Sequence, residues 1–188
     1  MGTLHKRPKV HLVETVYPNQ ILEQFGQEIT IDSVAAKAHI YGGFTVVDLE
    51  DLHLLEKYRW NLRPHRKTAY VTYQGSEENL RFHRLLLQIA DHLQVDHINR
   101  IGWDNRRSNL RLTTPAGNSQ NHGPSKNKKW SSFKGVTFVP KKKLYRARIM
   151  VNRKPIYLGS FKKELDAANA YNEAAKKYFG EFAFVNLT

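Results

Sequence analysis

A carboxylate and an imidazole stand side by side at Asp96 and His97, just ahead of a polar loop that is rich in asparagine. The unperturbed pKa of histidine is about 6.5, so this side chain can take a proton from water near neutral pH. A carboxylate, together with a later amide or imidazole, can hold a hard divalent cation against a phosphate group. These residue types therefore suit the hydrolysis of a phosphodiester bond.

The elements around this pair must position both side chains. Adjacent residues on a strand point to opposite faces, so Asp96 can bind a cation while His97 faces the scissile phosphate from another side. The loop of residues 99–108 needs internal hydrogen bonds to hold its shape, and the amide of Asn109 can provide them.

A strand and a helix are expected after the loop. The segment "LRLTT" predicts a return strand, and Pro115 suits the first turn of a helix. That helix would carry Asn118 inward. Upstream, "ENLRFHRLLLQIA" predicts a strand that runs into a helix, with His83 at the join.

This order of elements resembles the ββα-metal motif (His-Me finger) of HNH endonucleases, and "FHRLL" resembles the stretch that precedes it in phage and intron homing enzymes. The resemblance implies a metal-dependent DNA endonuclease that uses Mg²⁺ or Mn²⁺. It assigns the general base to His97, the metal ligands to Asp96 and Asn118, loop bracing to Asn109, and accessory or substitute roles to His83, Asn121 and His122.

One position departs from the family pattern. The family often has a glycine after the asparagine that corresponds to Asn99, and here Arg100 stands in its place. An arginine is expected to alter the turn, while the ligand positions are retained.

The last third of the chain carries most of the basic charge. Residues 123–188 hold 15 Lys and Arg against 4 Asp and Glu, whereas residues 1–122 hold 15 against 13. Such an excess favours a polyanion as partner, although a charge that only aids solubility is the alternative. Three short β-rich runs and a helix with Leu165, Ala168, Tyr171, Ala175 and Tyr178 at helical spacing predict a three-stranded antiparallel sheet packed on one helix.

These last residues resemble the plant APETALA-type (ethylene-response-factor) DNA-binding domain, through "KGV", "YRARI", "YLGSF" and "AANAYNEAA". The resemblance implies a sheet that lies in the major groove of double-stranded DNA, with the helix behind it. Alternation along the strands gives the candidates for the DNA-binding face, which are Lys134, Arg146, Arg148, Lys154 and Tyr157.

The predicted organisation is an α+β chain with a segment of unknown role (1–40), an HNH domain (41–122), a linker (123–131) and an APETALA-type domain (132–188). The leading hypothesis is a homing or phage HNH nuclease, targeted by its basic C-terminal domain. The alternative is a non-catalytic DNA-binding transcriptional regulator. The chain has no cysteine and no long apolar run. We therefore expect a soluble, intracellular protein with no membrane partner. The resemblance to phage HNH enzymes implies the cytoplasm of a bacterial cell that hosts a phage.

Overall fold

The computed structural model describes residues 10–73, 75, 80–90, 92–124 and 131–188. Contacts within the chain divide it into two compact units, Met1–Thr114 and Pro115–Thr188. The predicted domain limits stay predictions, and residues 125–130 of the predicted linker lie outside the described residues.

In the residues that the structure describes, the first unit is built from short strands and two short α-helices. In chain order its elements are β1 (Leu12–Val16), β2 (Ile21–Gln24), β3 (Gln27–Thr30), β4 (Ala35–Ile40), β5 (Gly43–Val47), α1 (Leu52–Leu55), β6 (Trp60–His65), β7 (Thr68–Tyr73), α2 (Phe82–Leu87), β8 (Gln94–His97) and β9 (Leu110–Thr113). All of the strand pairings are antiparallel: β1, β4 and β5 form one sheet in that order, and β2–β3, β6–β7 and β8–β9 are separate pairs.

Strands β1 to β3 occupy a region where the sequence shows only weak patterning. The strands are four or five residues long, and most of their side chains are at least partly exposed. Because no face is buried along a whole strand, the apolar–polar alternation that marks a half-buried strand is weak. Because β1 pairs with β4 and β4 pairs with β5, the described residues 10–40 of the N-terminal segment are part of the folded unit.

One apolar core holds the first unit together. Trp60 is almost fully buried and meets Phe82 edge to face, with ring centroids 5.2 Å apart. Trp103 is fully buried and meets Phe44 of β5 in the same way, at 5.2 Å. Large rings of this kind bury the most apolar area per residue, so they fix β5, β6, α2 and the loop before β9 against one another.

The second unit contains the predicted sheet and helix. Its elements are α3 (Pro115–Asn121), β10 (Val136–Val139), β11 (Leu144–Val151), β12 (Lys154–Phe161) and α4 (Glu164–Phe179). The strands pair antiparallel in the order β10-β11-β12. Asn152 and Arg153 both have positive φ, as a two-residue hairpin turn requires.

Helix α4 packs on one face of this sheet through small residues. Its buried positions are Ala167, Ala168, Tyr171, Asn172, Ala174 and Ala175. The predicted stripe was right at Ala168, Tyr171 and Ala175, but wrong at Leu165 and Tyr178, which are 50% and 42% exposed. Alanine allows the helix to approach the sheet closely, so the contact is narrow and the outer positions of the stripe lie beyond it.

The α+β class is confirmed at the level of small antiparallel sheets combined with helices. The two strands of the predicted ββα motif pair with each other within the first unit. Its predicted helix, α3, is assigned to the second unit. In the described part of the chain, no helix has both the length and the apolar character needed to cross a membrane.

Candidate active site

Strands β8 and β9 place Asp96 opposite Arg111, and His97 opposite Leu110. Directly opposite residues share a face of the pair, so the arginine reaches the carboxylate. Nε and Nη2 of Arg111 donate to Oδ2 of Asp96 at 3.0 and 2.6 Å. Both side chains of the Asp-His pair are buried, with 4% of each residue exposed.

His97 lies in a cluster of rings. The centroid of its ring is 5.0 Å from that of His83 and 5.8 Å from that of Tyr70. Burial lowers the pKa of His97 from 6.5 to about 4, although a hydrogen bond with Asn105 and the charges of Asp104 and Asp96 act in the opposite direction. At neutral pH the imidazole is therefore uncharged and able to accept a proton.

His83, predicted as an accessory residue, lies on α2 and is 4% exposed. Burial, followed by the nearby His97, lowers its pKa well below 6.5. Its Nδ1 is buried and has no hydrogen-bond partner among the described residues. The structure thus places two neutral imidazoles next to each other.

The loop between β8 and β9 is held by its own side chains. The Oδ1 atom of Asn109 accepts from the backbone N–H of Asn99 at 3.0 Å, and its Nδ2 donates to the carbonyl of Asp104 at 2.8 Å. Asn99 in turn donates to Asp104 through Nδ2, at 2.7 Å. These bonds satisfy buried polar groups of the loop, which would otherwise destabilise it.

Arg100 supports the turn in which the family often has glycine. It adopts φ 66°, the left-handed conformation that glycine takes without strain, and its N–H donates to the carbonyl of His97 at 2.8 Å. Arg100 thus takes a conformation that glycine also takes, and the expectation that arginine alters the turn stays a prediction. An L-residue in this conformation costs about 1 kcal/mol, which the bonds of the surrounding loop offset.

Two other arginines connect the loop to the N-terminal strands. Arg106 is buried and forms ion pairs with Asp104 and Asp32, with Nε 2.8 Å from Oδ1 of Asp104. Arg107 binds both carboxylate oxygens of Asp51 at 2.7 Å. Sequence reasoning missed the contacts with Asp32 and Asp51 because these residues are more than fifty positions away from the arginines that they bind.

Three predicted residues belong to α3 or follow it directly. Asn118 is partly buried on the helix, Asn121 is its buried last residue, and His122 comes next. All three are in the second unit, whereas Asp96 and His97 are in the first. Among the described residues, no group of three or more His, Cys, Asp or Glu side chains is arranged to hold a metal ion.

Comparison with known proteins identifies the family. The model of the HNH endonuclease family matches residues 82–120, which span α2, the Asp-His pair, the loop and all but the last residue of α3. An uncharacterized HNH endonuclease of Acanthamoeba polyphaga mimivirus is 33% identical over 180 residues, covering 92% of this chain and 91% of the relative. The chain belongs to the HNH endonuclease family. No solved structure gives a significant match.

Family membership makes the chain a DNA endonuclease and removes the support for a non-catalytic regulator. HNH endonucleases generally depend on a divalent metal. The matched segment contains every predicted catalytic, metal-binding and loop-bracing residue, together with His83. The predicted substitutes Asn121 and His122 lie just beyond it.

In this HNH endonuclease, the face of the C-terminal sheet that is not covered by α4 carries Arg146 and Arg148, which are exposed. Arg148 pairs across the sheet with Tyr157, which is 63% exposed. The placement of these three residues agrees with the alternation that predicted one face.

The two predicted lysines lie elsewhere. Lys154 pairs with Val151, which packs on the helix side of the sheet, so the register places Lys154 on the face opposite Arg148. The Nζ of Lys134 donates to the carbonyls of Gln120 and His122, at 2.6 Å each. The expectation that Lys154 shares a face with the two arginines is therefore wrong, whereas the DNA contact expected of Lys134 stays a prediction. Lys134 precedes β10, so the alternation of side chains along a strand does not apply to it. Lys154 is an odd number of residues from Tyr157 on β12, so its side chain points to the opposite face.

Proposed function

We propose that this HNH endonuclease hydrolyses double-stranded DNA with a divalent metal ion, with His97 as the general base and Asp96 and Asn118 as metal ligands. The observation that carries the proposal is the neutral, buried imidazole of His97 beside the carboxylate of Asp96, within the segment that matches the family.

The surroundings of His97 support its role as a base. With a pKa near 4, essentially all of the imidazole is unprotonated at neutral pH. A bound DNA phosphate is a negative charge, and an opposite charge nearby stabilises the protonated imidazole. Substrate binding therefore raises the pKa of His97 towards the working pH, where a general base is most effective.

The residues present fit a hard divalent cation. The carboxylate of Asp96 and the amide oxygen of Asn118 are the oxygen donors that Mg²⁺ and Mn²⁺ prefer, and the chain has no cysteine. Asn121 and His122 are the alternative ligands from the same helix region. A bound cation would stabilise the charge that develops on the phosphate during hydrolysis. Arg111, which already binds Oδ2 of Asp96, would keep that carboxylate oriented.

The C-terminal sheet is proposed to grip the DNA. Arg146 and Arg148 are exposed on one face, and neither forms an ion pair with any described residue. Exposed guanidinium groups on a helix-backed sheet suit contact with phosphates and base edges of a groove. This part of the proposal corresponds to the APETALA-type resemblance.

The biological role that best combines a nuclease segment with a separate basic sheet is a homing-type or viral nuclease. The sheet would select a long site and the HNH segment would cut it. The relative described above is a mimivirus protein. The phage origin and the bacterial host remain predictions.

A supercoiled plasmid assay tests the proposal most directly. The full chain is incubated with the plasmid and Mg²⁺ or Mn²⁺, and with EDTA as the control. We expect nicked or linear product only with the metal, and none from His97→Ala. Full cleavage in EDTA would contradict the metal dependence, and full cleavage by His97→Ala would remove this residue from the mechanism.

A further inference from the structure

The side chain of Asn105 is fully buried between His97 and strand β5. Its Oδ1 lies 3.3 Å from Nε2 of His97, and its Nδ2 lies 2.9 Å from Oγ1 of Thr45, which is also fully buried. Asn105 is thus the direct link between the imidazole of the base and the sheet of the N-terminal region.

The hydroxyl of Thr45 determines which way the amide of Asn105 points. Oγ1 of Thr45 is 2.9 Å from the carbonyl oxygen of Trp103. A carbonyl can only accept a hydrogen bond, so the single hydroxyl proton of Thr45 is directed to Trp103. Oγ1 must then accept from Asn105, and only the NH₂ end of the amide can donate. The amide orientation follows from these partners.

The amide orientation in turn determines the tautomer of His97. Oδ1 of Asn105 faces the imidazole, and a carbonyl oxygen cannot donate. The hydrogen bond therefore requires a proton on Nε2. Since a neutral imidazole carries one proton, Nδ1 is the basic nitrogen.

We propose that Thr45 and Asn105 are positioning residues that hold His97 with its proton on Nε2, so that Nδ1 is the atom that takes the proton from the attacking water. The inference rests on the proposed function, in which His97 is the general base. It assigns an active-site role to β5, which lies outside the segment that matches the family.

Backbone hydrogen bonds hold Thr45 and Asn105 in place beside each other. The N–H of Val46 donates to the carbonyl of Trp103 at 3.0 Å, and the N–H of Asn105 donates to the carbonyl of Val46 at 2.8 Å. These two bonds join β5 to the loop on either side of the Thr45–Asn105 contact. The side chains are therefore oriented before DNA binds, which is what a catalytic base requires of its supporting residues.

The test compares Thr45→Val with Thr45→Ser in the full chain. Valine has nearly the shape of threonine but removes the hydroxyl, so the amide of Asn105 is free to turn, whereas serine keeps the hydroxyl. Asn105→Leu removes the acceptor for Nε2 and is the second probe. Thr113→Val controls for the loss of a buried hydroxyl elsewhere in the unit, since Thr113 donates to the carbonyl of Thr114.

Two measurements are made on each variant. The ¹⁵N chemical shifts of His97, recorded with EDTA and without DNA, report the tautomer independently of catalysis. Plasmid cleavage with Mg²⁺ gives kcat and KM. For Thr45→Val and Asn105→Leu we expect a loss of the pure Nε2–H signature and a fall in kcat of roughly 10–100-fold, with KM little changed. Thr45→Ser should retain most of the Nε2–H signature and most of the kcat of the original chain.

The outcomes separate this inference from the function on which it rests. If both Thr45→Val and Asn105→Leu fold and keep the Nε2–H signature, Thr45 and Asn105 do not set the tautomer of His97. The inference then fails, even if His97→Ala is inactive. If the signature shifts but kcat is unchanged, Nδ1 is not the proton-accepting atom and the inference fails, whereas the assignment of His97 as the base is decided separately by His97→Ala. Equal losses in Thr113→Val would also overturn the inference.

Discussion

Arginines in the two units of this endonuclease have contrasting surroundings. In the first unit, Arg106 binds Asp104 and Asp32, Arg107 binds Asp51, and Arg111 binds Asp96. In the second unit, Arg146 and Arg148 are exposed on the open face of the sheet, where no described carboxylate pairs with them.

The contrast shows that a cluster of arginines beside a nuclease motif does not by itself mark a DNA-binding surface. Each guanidinium of the first group is held by a carboxylate at about hydrogen-bond distance, and paired in this way it stabilises the loop. An arginine without an acidic neighbour keeps its charge available to phosphates. The acidic partners explain why residues 1–122 carry almost no net charge although they hold as many Lys and Arg as the rest.

The largest expected effect is in the first unit. His97→Ala should lower cleavage by about 10²–10⁴-fold and leave DNA affinity nearly unchanged, since a general base acts on the chemical step. Plasmid cleavage and a binding titration measure the two quantities. His92→Ala, at an exposed position, is the control. If His97→Ala lowered DNA affinity as much as it lowers cleavage, catalysis and DNA binding would not be divided between the two units.

The next effect should be on binding, in the second unit. Replacing both Arg146 and Arg148 with alanine should weaken DNA binding and reduce the slope of log K against log salt by about two units, roughly one for each lost phosphate contact. The matched control removes two charges from the end of α4, with Lys176→Ala and Lys177→Ala. Substitutions are preferable to truncation here, because Lys134 of this unit binds the end of α3. Equal slopes of log K against log salt in the two double variants would show that the sheet face with Arg146 and Arg148 does not bind the DNA phosphates.

A pH experiment tests the buried imidazoles of the first unit. The pKa of His83 is well below 6.5 in the folded protein, whereas the unfolded chain has an ordinary histidine. As the pH falls below about 6.5, the unfolded state binds a proton that the folded state does not. The free energy of unfolding should therefore decrease, by at most about 1.4 kcal/mol per pH unit for this group, until its lowered pKa is reached.

Urea denaturation between pH 7 and 5 measures this dependence. In His83→Gln the loss of stability with acid should be smaller than in the original chain, and His92→Gln, a substitution at an exposed position, is the control. An unaltered pH dependence in His83→Gln would mean that His83 is not held neutral by burial.

The smallest effect on DNA binding is expected at Lys134. This prediction compares a lysine that binds backbone carbonyls with the exposed arginines of the same unit. Because its Nζ binds two backbone carbonyls near the end of α3, Lys134→Met should lower the stability of this unit by about 1 kcal/mol. Thermal unfolding and the salt dependence of DNA binding are the measurements. If Lys134→Met reduced the slope of log K against log salt as much as Arg148→Ala does, Lys134 would belong to the DNA-binding face.

Much of the second unit could be predicted from local patterns. The alternation in "LYRARI" placed Arg146 and Arg148 on one face, because successive side chains of a strand point to opposite sides. Glycine is the residue type most typical of helix C-caps, and Gly180 follows the last residue of α4 with φ 53° and with its N–H donating to the carbonyl of Lys176. The width of the helix contact was not predictable, since it depends on how closely alanines allow α4 to approach the sheet.

The sequence by itself determined the motif: the Asp-His pair, the loop with Asn109, the return strand and the basic sheet are all local in the chain. Only the tertiary structure decided what surrounds His97 and what holds the loop that follows it. Thr45, Asp32 and Asp51 lie far from the loop in sequence and act through hydrogen bonds that form only when β5 and its neighbours fold against it. Burial, which lowers the pKa of His97 and makes each of these polar contacts matter, is a property of the assembled core rather than of any segment.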